Sequence, residues 1–178
     1  MKAEEEKVKQ GLKKVGQSIK ENTKKVLPDI AQTLIHTGKL PREVFKISDG
    51  KIEEMYSQAY HLYNTGKYKQ AIQLFRLLIL INADNPKYVM GVAACFHMMK
   101  EYKNAVESYT FCAILEPENP IPLFHASDCF IQSGDKFSAL VALEMAVKKA
   151  GNSPQYQVLK DRALMTIEGL RKDLPEQK

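Results

Sequence analysis

"MYSQAYHLYNTGKYKQAIQLFRLLILINADNP", Met55 to Pro86, is almost one full copy of a unit that the chain then repeats twice. Ala71 returns as Ala105 and Ala139, and Pro86 returns as Pro120 and Pro154, each time after 34 residues. In the same register Gly66 aligns with Lys100 and Gly134, Leu62 with Phe96 and Phe130, Ala59 with Ala93 and Ser127, and Phe75 with Tyr109 and Leu143. Six columns held in phase mark a stacked-repeat architecture, in which one unit cannot bury its own apolar face and its neighbours complete the core.

Within each unit the pattern predicts two helices. The first opens near a proline, which is tolerated where a helix begins because its missing N–H has no helical partner there. The second closes on a turn such as "ADNP" or "PENP". "NTGKY", "MMKEY" and "QSGDKF" separate the two. Small residues such as Ala59 and Ala71 let the paired helices approach closely, and large ones such as Phe75 fill the space beyond.

The period, the small-residue columns, the Gly-x-Tyr turn at Gly66 and Tyr68 and the closing proline resemble the tetratricopeptide repeat. The expected fold is all-α: three such repeats at 53–153 (53–86, 87–120, 121–153) forming a short superhelix. Lys100 departs from the pattern by replacing the turn glycine, and irregular ends are expected at Ala83 and Gly151. After the repeats, Tyr156, Leu159, Ala163, Ile167 and Leu170 recur at spacings of three and four, so residues 154–178 are expected to supply a capping helix and a tail. Before them, Leu27, Ile30, Leu34 and Ile35 suggest an N-terminal helix within 21–52, followed by "KLPREVFKISDGK" as a connecting loop. Residues 1–20 read as a lysine-rich arm, either a weak helix or disordered.

Composition narrows the function. With 178 residues, 44% hydrophobic and 26% charged, the chain suits one soluble core. No apolar run reaches the ~20 residues that span a bilayer, and "MKAEEEKVKQ" lacks a secretory apolar region, which points to the cytosol. Cys95, Cys112 and Cys129 have no CxxC spacing and read as reduced, packed thiols; the four histidines show no metal-binding pairing. No cofactor is implied. A phosphate loop, a GxSxG elbow and a convergent acid–base set are all missing, so the chain does not read as an enzyme. The net charge of +5 sits almost wholly in residues 1–25, which hold eight lysines against four glutamates. Neither a nucleic-acid surface nor a membrane-inserting helix is expected from such an arm.

Tyr56, Tyr60 and Tyr63 lie on one stripe of the first helix. The stripe that meets the second helix is already supplied by Met55, Ala59 and Leu62, so the phenols face the concave side that first helices line in such stacks. Stepping by 34 gives Met90, Ala94 and His97, then Phe124, Asp128 and Ile131. A phenol brings an apolar ring and a hydroxyl that needs a partner, which suits a ligand that comes and goes. The competing reading is that the N-terminal segment covers the same face.

Beyond the generic repeat, the tyrosine-rich first helix, "LFRLL", "YVMGVAAC" and "PLFHASDC" resemble the class II chaperones of bacterial type III secretion, the SycD/LcrH-like family, over about residues 20–170. That resemblance implies a chaperone of the bacterial cytosol that holds apolar translocator subunits before secretion, with an extended N-terminal client segment in the groove. It implies that Tyr56, Tyr60 and Tyr63 line pockets for client anchors, joined by Lys87, Met90, His97, Phe124 and Asp128, and that N-terminal helices mediate a homodimer. The long lysine-rich arm departs from the family pattern. The alternatives are a general repeat scaffold, for instance one clamping an acidic C-terminal tail, and a secretion regulator.

Overall fold

The computed structural model describes residues 47–173 apart from Ala83. The proposed arm at 1–20, the helix expected around Leu27 to Ile35, most of the connecting loop and the final tail lie outside the described residues.

Seven α-helices follow one another among the described residues: α1 Asp49–Asn64, α2 Tyr68–Ile81, α3 Pro86–Met98, α4 Tyr102–Leu115, α5 Ile121–Gln132, α6 Lys136–Ala150 and α7 Gln157–Asp173, the last preceded by a 3-10 turn at Pro154–Tyr156. Each packs against the next in sequence, and α1 and α5 also touch α3 and α7 respectively. The loop expected to run to Lys51 stops earlier. Ser48 caps α1 by accepting from the Lys51 backbone N–H at 3.4 Å, and Asp49 favours the positive end of the helix dipole.

Caps explain the other starts. Asn85 Oδ1 accepts from the Lys87 N–H at 3.1 Å, with Pro86 in the first turn of α3, and Asn119 Oδ1 accepts from the Ile121 N–H at 3.0 Å. Asp135 Oδ1 takes the Ser138 N–H at 3.0 Å to open α6.

Lys100 does not break its turn. In the first repeat the Gly66 N–H donates to Tyr63 O (3.0 Å) and the Lys67 N–H to Leu62 O (2.9 Å). The same two bonds recur from Lys100 to His97 O and Glu101 to Phe96 O, both 2.9 Å, and from Gly134 to Ile131 O (3.0 Å) and Asp135 to Phe130 O (2.9 Å). This paired closure needs a residue in the left-handed region. Gly66 and Gly134 supply φ of 74° and 83°, and Lys100 is forced to 61°.

The core follows the columns. Ala59, Ala71, Ala93, Ala105 and Ala139 are fully buried where helices cross, with Phe75, Leu78 and Leu143 filling the space between them. One cluster joins Ala93, Ala105, Tyr109, Ala126 and Cys129; another joins Leu123, Phe124, Leu143, Ala146, Ala163 and Ile167, through which α7 closes the stack. Cys95, Cys112 and Cys129 are free thiols at 0% exposure, and burial pushes each up to about 11. Among the described residues no helix is long and apolar enough to cross a membrane.

Candidate client groove

The first helix of each repeat, α1, α3 and α5, carries the residues singled out by the 34-residue step. On α1 the three phenols form a ladder, because positions four and three apart lie on one helix face. Ring centroids are 6.5 Å apart for Tyr56 and Tyr60, with planes at 21°, and 6.3 Å apart for Tyr60 and Tyr63, with planes at 27°. Both ends of the ladder are propped. Tyr56 meets Phe75 at 6.1 Å and Tyr88 at 5.8 Å, and Tyr63 meets Tyr68 at 5.6 Å. Tyr60 in the middle stays 53% exposed, while Tyr56 and Tyr63 are half-buried. Burial raises the pKa of both flanking phenols above the ordinary 10, so they stay neutral hydrogen-bonding groups at physiological pH.

The second and third repeats are less uniform. Met90 packs on the cluster around Ala93 and Tyr109, and Ala94 is half-buried. Lys87 is exposed in the first turn of α3. His97, Asp128 and Ile131 share a cavity of about 400 Å³ whose other walls are Met98, Lys100, Tyr102 and Gln132. Phe124 is placed differently: it is only 8% exposed, packed in the α5–α7 core with the Arg162 guanidinium 5.4 Å above its ring. α7 covers it with Arg162, which the sequence column of Phe124 does not reveal.

Tyr109, His125, Tyr102 and Lys100 lie outside the groove columns of the sequence, yet they build the floor of this end. The Tyr109 ring stacks on His125 at 5.5 Å and 26°, and His97 stands edge-on to it at 6.2 Å and 89°. One signal for Tyr109 was legible: it brings a hydroxyl to a column otherwise filled by Phe75 and Leu143. His125 Nδ1 lies 3.9 Å from Asp128 Oδ2, a distance for attraction rather than a hydrogen bond. Burial lowers the His125 pKa against the pull of Asp128, and burial raises that of Asp128 against His125, His97 and Arg162. The arrangement offers aromatic faces, a methionine, a half-buried carboxylate and imidazoles. Among the described residues no three His, Cys, Asp or Glu gather as metal ligands. Such a surface can bury apolar side chains and bond a peptide backbone.

Residues 52–85 and 86–119 match the tetratricopeptide-repeat family. The low calcium response locus protein H of Yersinia pseudotuberculosis is 29% identical over 126 residues, covering 71% of this chain and 75% of that protein. The structure of the Yersinia enterocolitica type III secretion chaperone SycD with a peptide of the translocator YopD superposes with a TM-score of 0.67 at 28% identity, covering 71% of this chain and 96% of SycD; SycD is also known as an alternative dimer. PcrH of Pseudomonas aeruginosa, solved with the chaperone-binding region of PopD, gives a TM-score of 0.67 at 27% identity and the same coverage. Among these similar proteins SycD is a type III secretion translocator chaperone.

Proposed function

We propose that this chain is a type III secretion translocator chaperone of the SycD/LcrH kind, which holds an extended segment of a hydrophobic translocator along α1, α3 and α5 in the bacterial cytoplasm. The observation that carries this reading is the Tyr56–Tyr60–Tyr63 ladder, braced from behind yet open at Tyr60. A subunit destined for a membrane exposes apolar segments that aggregate in water unless covered. Rigid phenols cover such segments at low entropic cost, each well-buried client anchor contributing on the order of 1 to 3 kcal/mol. Their hydroxyls meet the free N–H and C=O groups of an extended main chain.

Tyr56, Tyr60 and Tyr63 form the apolar wall, and Met90 and Ala94 continue it. His97, Asp128 and Ile131 make the far pocket, Lys87 stands at the opposite, N-terminal end of α3 at the rim of the groove, and Phe124 acts from below as the support of the third row. No chemical step is needed: the client is released by competition at the secretion apparatus, and the chain is not an enzyme. Self-association accompanies client holding, as the dimeric form of SycD suggests.

Co-expression with the translocator subunits of the same secretion system is expected to give a soluble complex. Tyr60→Ala and Tyr63→Glu are expected to weaken it while leaving the helical circular dichroism intact. Normal client binding by both variants would overturn the groove.

A further inference from the structure

The 34-residue step does not end with the third repeat. It carries Tyr56, Met90 and Phe124 on to Val158, Tyr60, Ala94 and Asp128 on to Arg162, and Tyr63, His97 and Ile131 on to Met165. All three new positions lie on α7, which packs against α6 and touches α5, as α3 touches α1. The inner face of α7 is spoken for, since Ala163, Ile167 and Leu170 are buried in the core cluster. Asp161 takes the place of Ala59, Ala93 and Ser127, which meet the second helix of each pair, and it is exposed. What is left is the groove face, and there Val158 and Met165 are 73% and 75% exposed.

An independent contact fixes the phase. The Arg162 guanidinium reaches back over the ring of Phe124, a member of the third row, and its charge is felt by both Asp128 and His125. α7 therefore stands against the face of α5 that carries the third row. Large apolar side chains left in water on that side, continuous with the groove, call for an occupant.

We infer that α7 is a fourth row of the client groove, with Val158 and Met165 holding apolar anchors of the same translocator segment and Arg162 donating to its backbone carbonyls opposite the Asp128 acceptor. This inference rests on the client-groove reading. Asp128 accepts from an N–H and Arg162 donates to a C=O, which matches the alternation along an extended strand. With helices packed about 10 Å apart and strands rising about 3.3 Å per residue, the extra row lengthens the held segment by about three residues.

The test uses the full chain co-expressed with its translocators, with the protected client segment mapped by limited proteolysis and mass spectrometry. A synthetic peptide of that segment is then titrated by calorimetry. The double variant Val158→Glu/Met165→Glu is expected to weaken binding about tenfold and to shorten the protected segment by about three residues at one end. A peptide lacking those residues should bind the variant and the unaltered chain alike. Because both side chains are exposed, the variant keeps its fold, which circular dichroism checks. Tyr60→Ala serves as the arm for the groove itself. If Tyr60→Ala weakens binding while the α7 variant keeps the full footprint and affinity, the fourth row is overturned alone. If neither changes binding, or no translocator is captured, the groove reading falls and takes the fourth row with it. A variant that altered only the oligomeric state by light scattering would assign this face to a second copy and also overturn the proposal.

Discussion

Lys100 shows what a single residue can be made to do. At φ 61° it holds the left-handed conformation that Gly66 and Gly134 adopt freely, because the bonds closing the turn leave no other choice. A side chain there costs about 1 to 2 kcal/mol, part of which glycine gives back through its flexible unfolded state. Lys100→Gly is therefore expected to raise unfolding free energy by about 1 kcal/mol, as read by urea denaturation. The cysteines give a second residue-scale expectation. With thiols pushed up to about 11 and no exposed sulfur, Cys95, Cys112 and Cys129 should react with a thiol reagent such as DTNB at neutral pH only as the protein unfolds. Rapid labelling of the native chain would contradict that burial.

Between helices, α2 fits closely against α3 at Gly91. A methyl group added at Gly91 would sit 2.6 Å from the Phe75 ring, the same ring that props Tyr56 edge-on at 6.1 Å. Neither helix can back away without disturbing the phenol ladder. Gly91→Ala is expected to cost about 1 to 3 kcal/mol by thermal or chemical unfolding, and any residual folded protein should bind client less well because Tyr56 loses its backing. Elements of this kind were legible in the sequence to different degrees. The helix pairs and their turns follow from the repeated columns, since alanine at a crossing and glycine at a turn act locally. The start of α1 did not follow, because Ser48 and Asp49 sit in a stretch rich in turn formers that reads as loop until the cap closes. The tyrosine ladder was legible from spacing alone. The floor of Tyr109, His125 and Tyr102 was not, since it forms only where the side chains of α3, α4 and α5 meet.

For the stacked repeats as a whole, the cluster where α3, α4, α5 and α7 meet makes stability depend on pH. His125 faces Asp128 on its own helix, His97 on α3, Tyr109 on α4 and Arg162 on α7. Burial lowers its pKa below the ordinary 6.5, so the unfolded chain binds the proton more tightly than the native one. Stability is then complete above about 6.5 and falls as the pH drops through the native value. Asp128 acts the other way at lower pH: its raised pKa means that stability is regained as the carboxyl protonates on the way down toward 3.8. A melting temperature that declines from pH 7 toward pH 5.5, and declines less in His125→Phe, is the expected result; a flat profile in the unaltered chain would refute it.

By itself the sequence determined the period, the helix pairs, the turns and the phenol stripe, because each depends on residues within one repeat. Only the tertiary structure decided which stripes stay open. Phe124 occupies the same column as Tyr56 but is buried, since α7 packs against α5 and lays Arg162 over its ring. Val158 and Met165 stay in water because nothing among the described residues packs over them. Exposure is a property of neighbours, and the helices that cover a first helix come from adjacent units as well as its own, beyond the reach of a pattern read within one repeat.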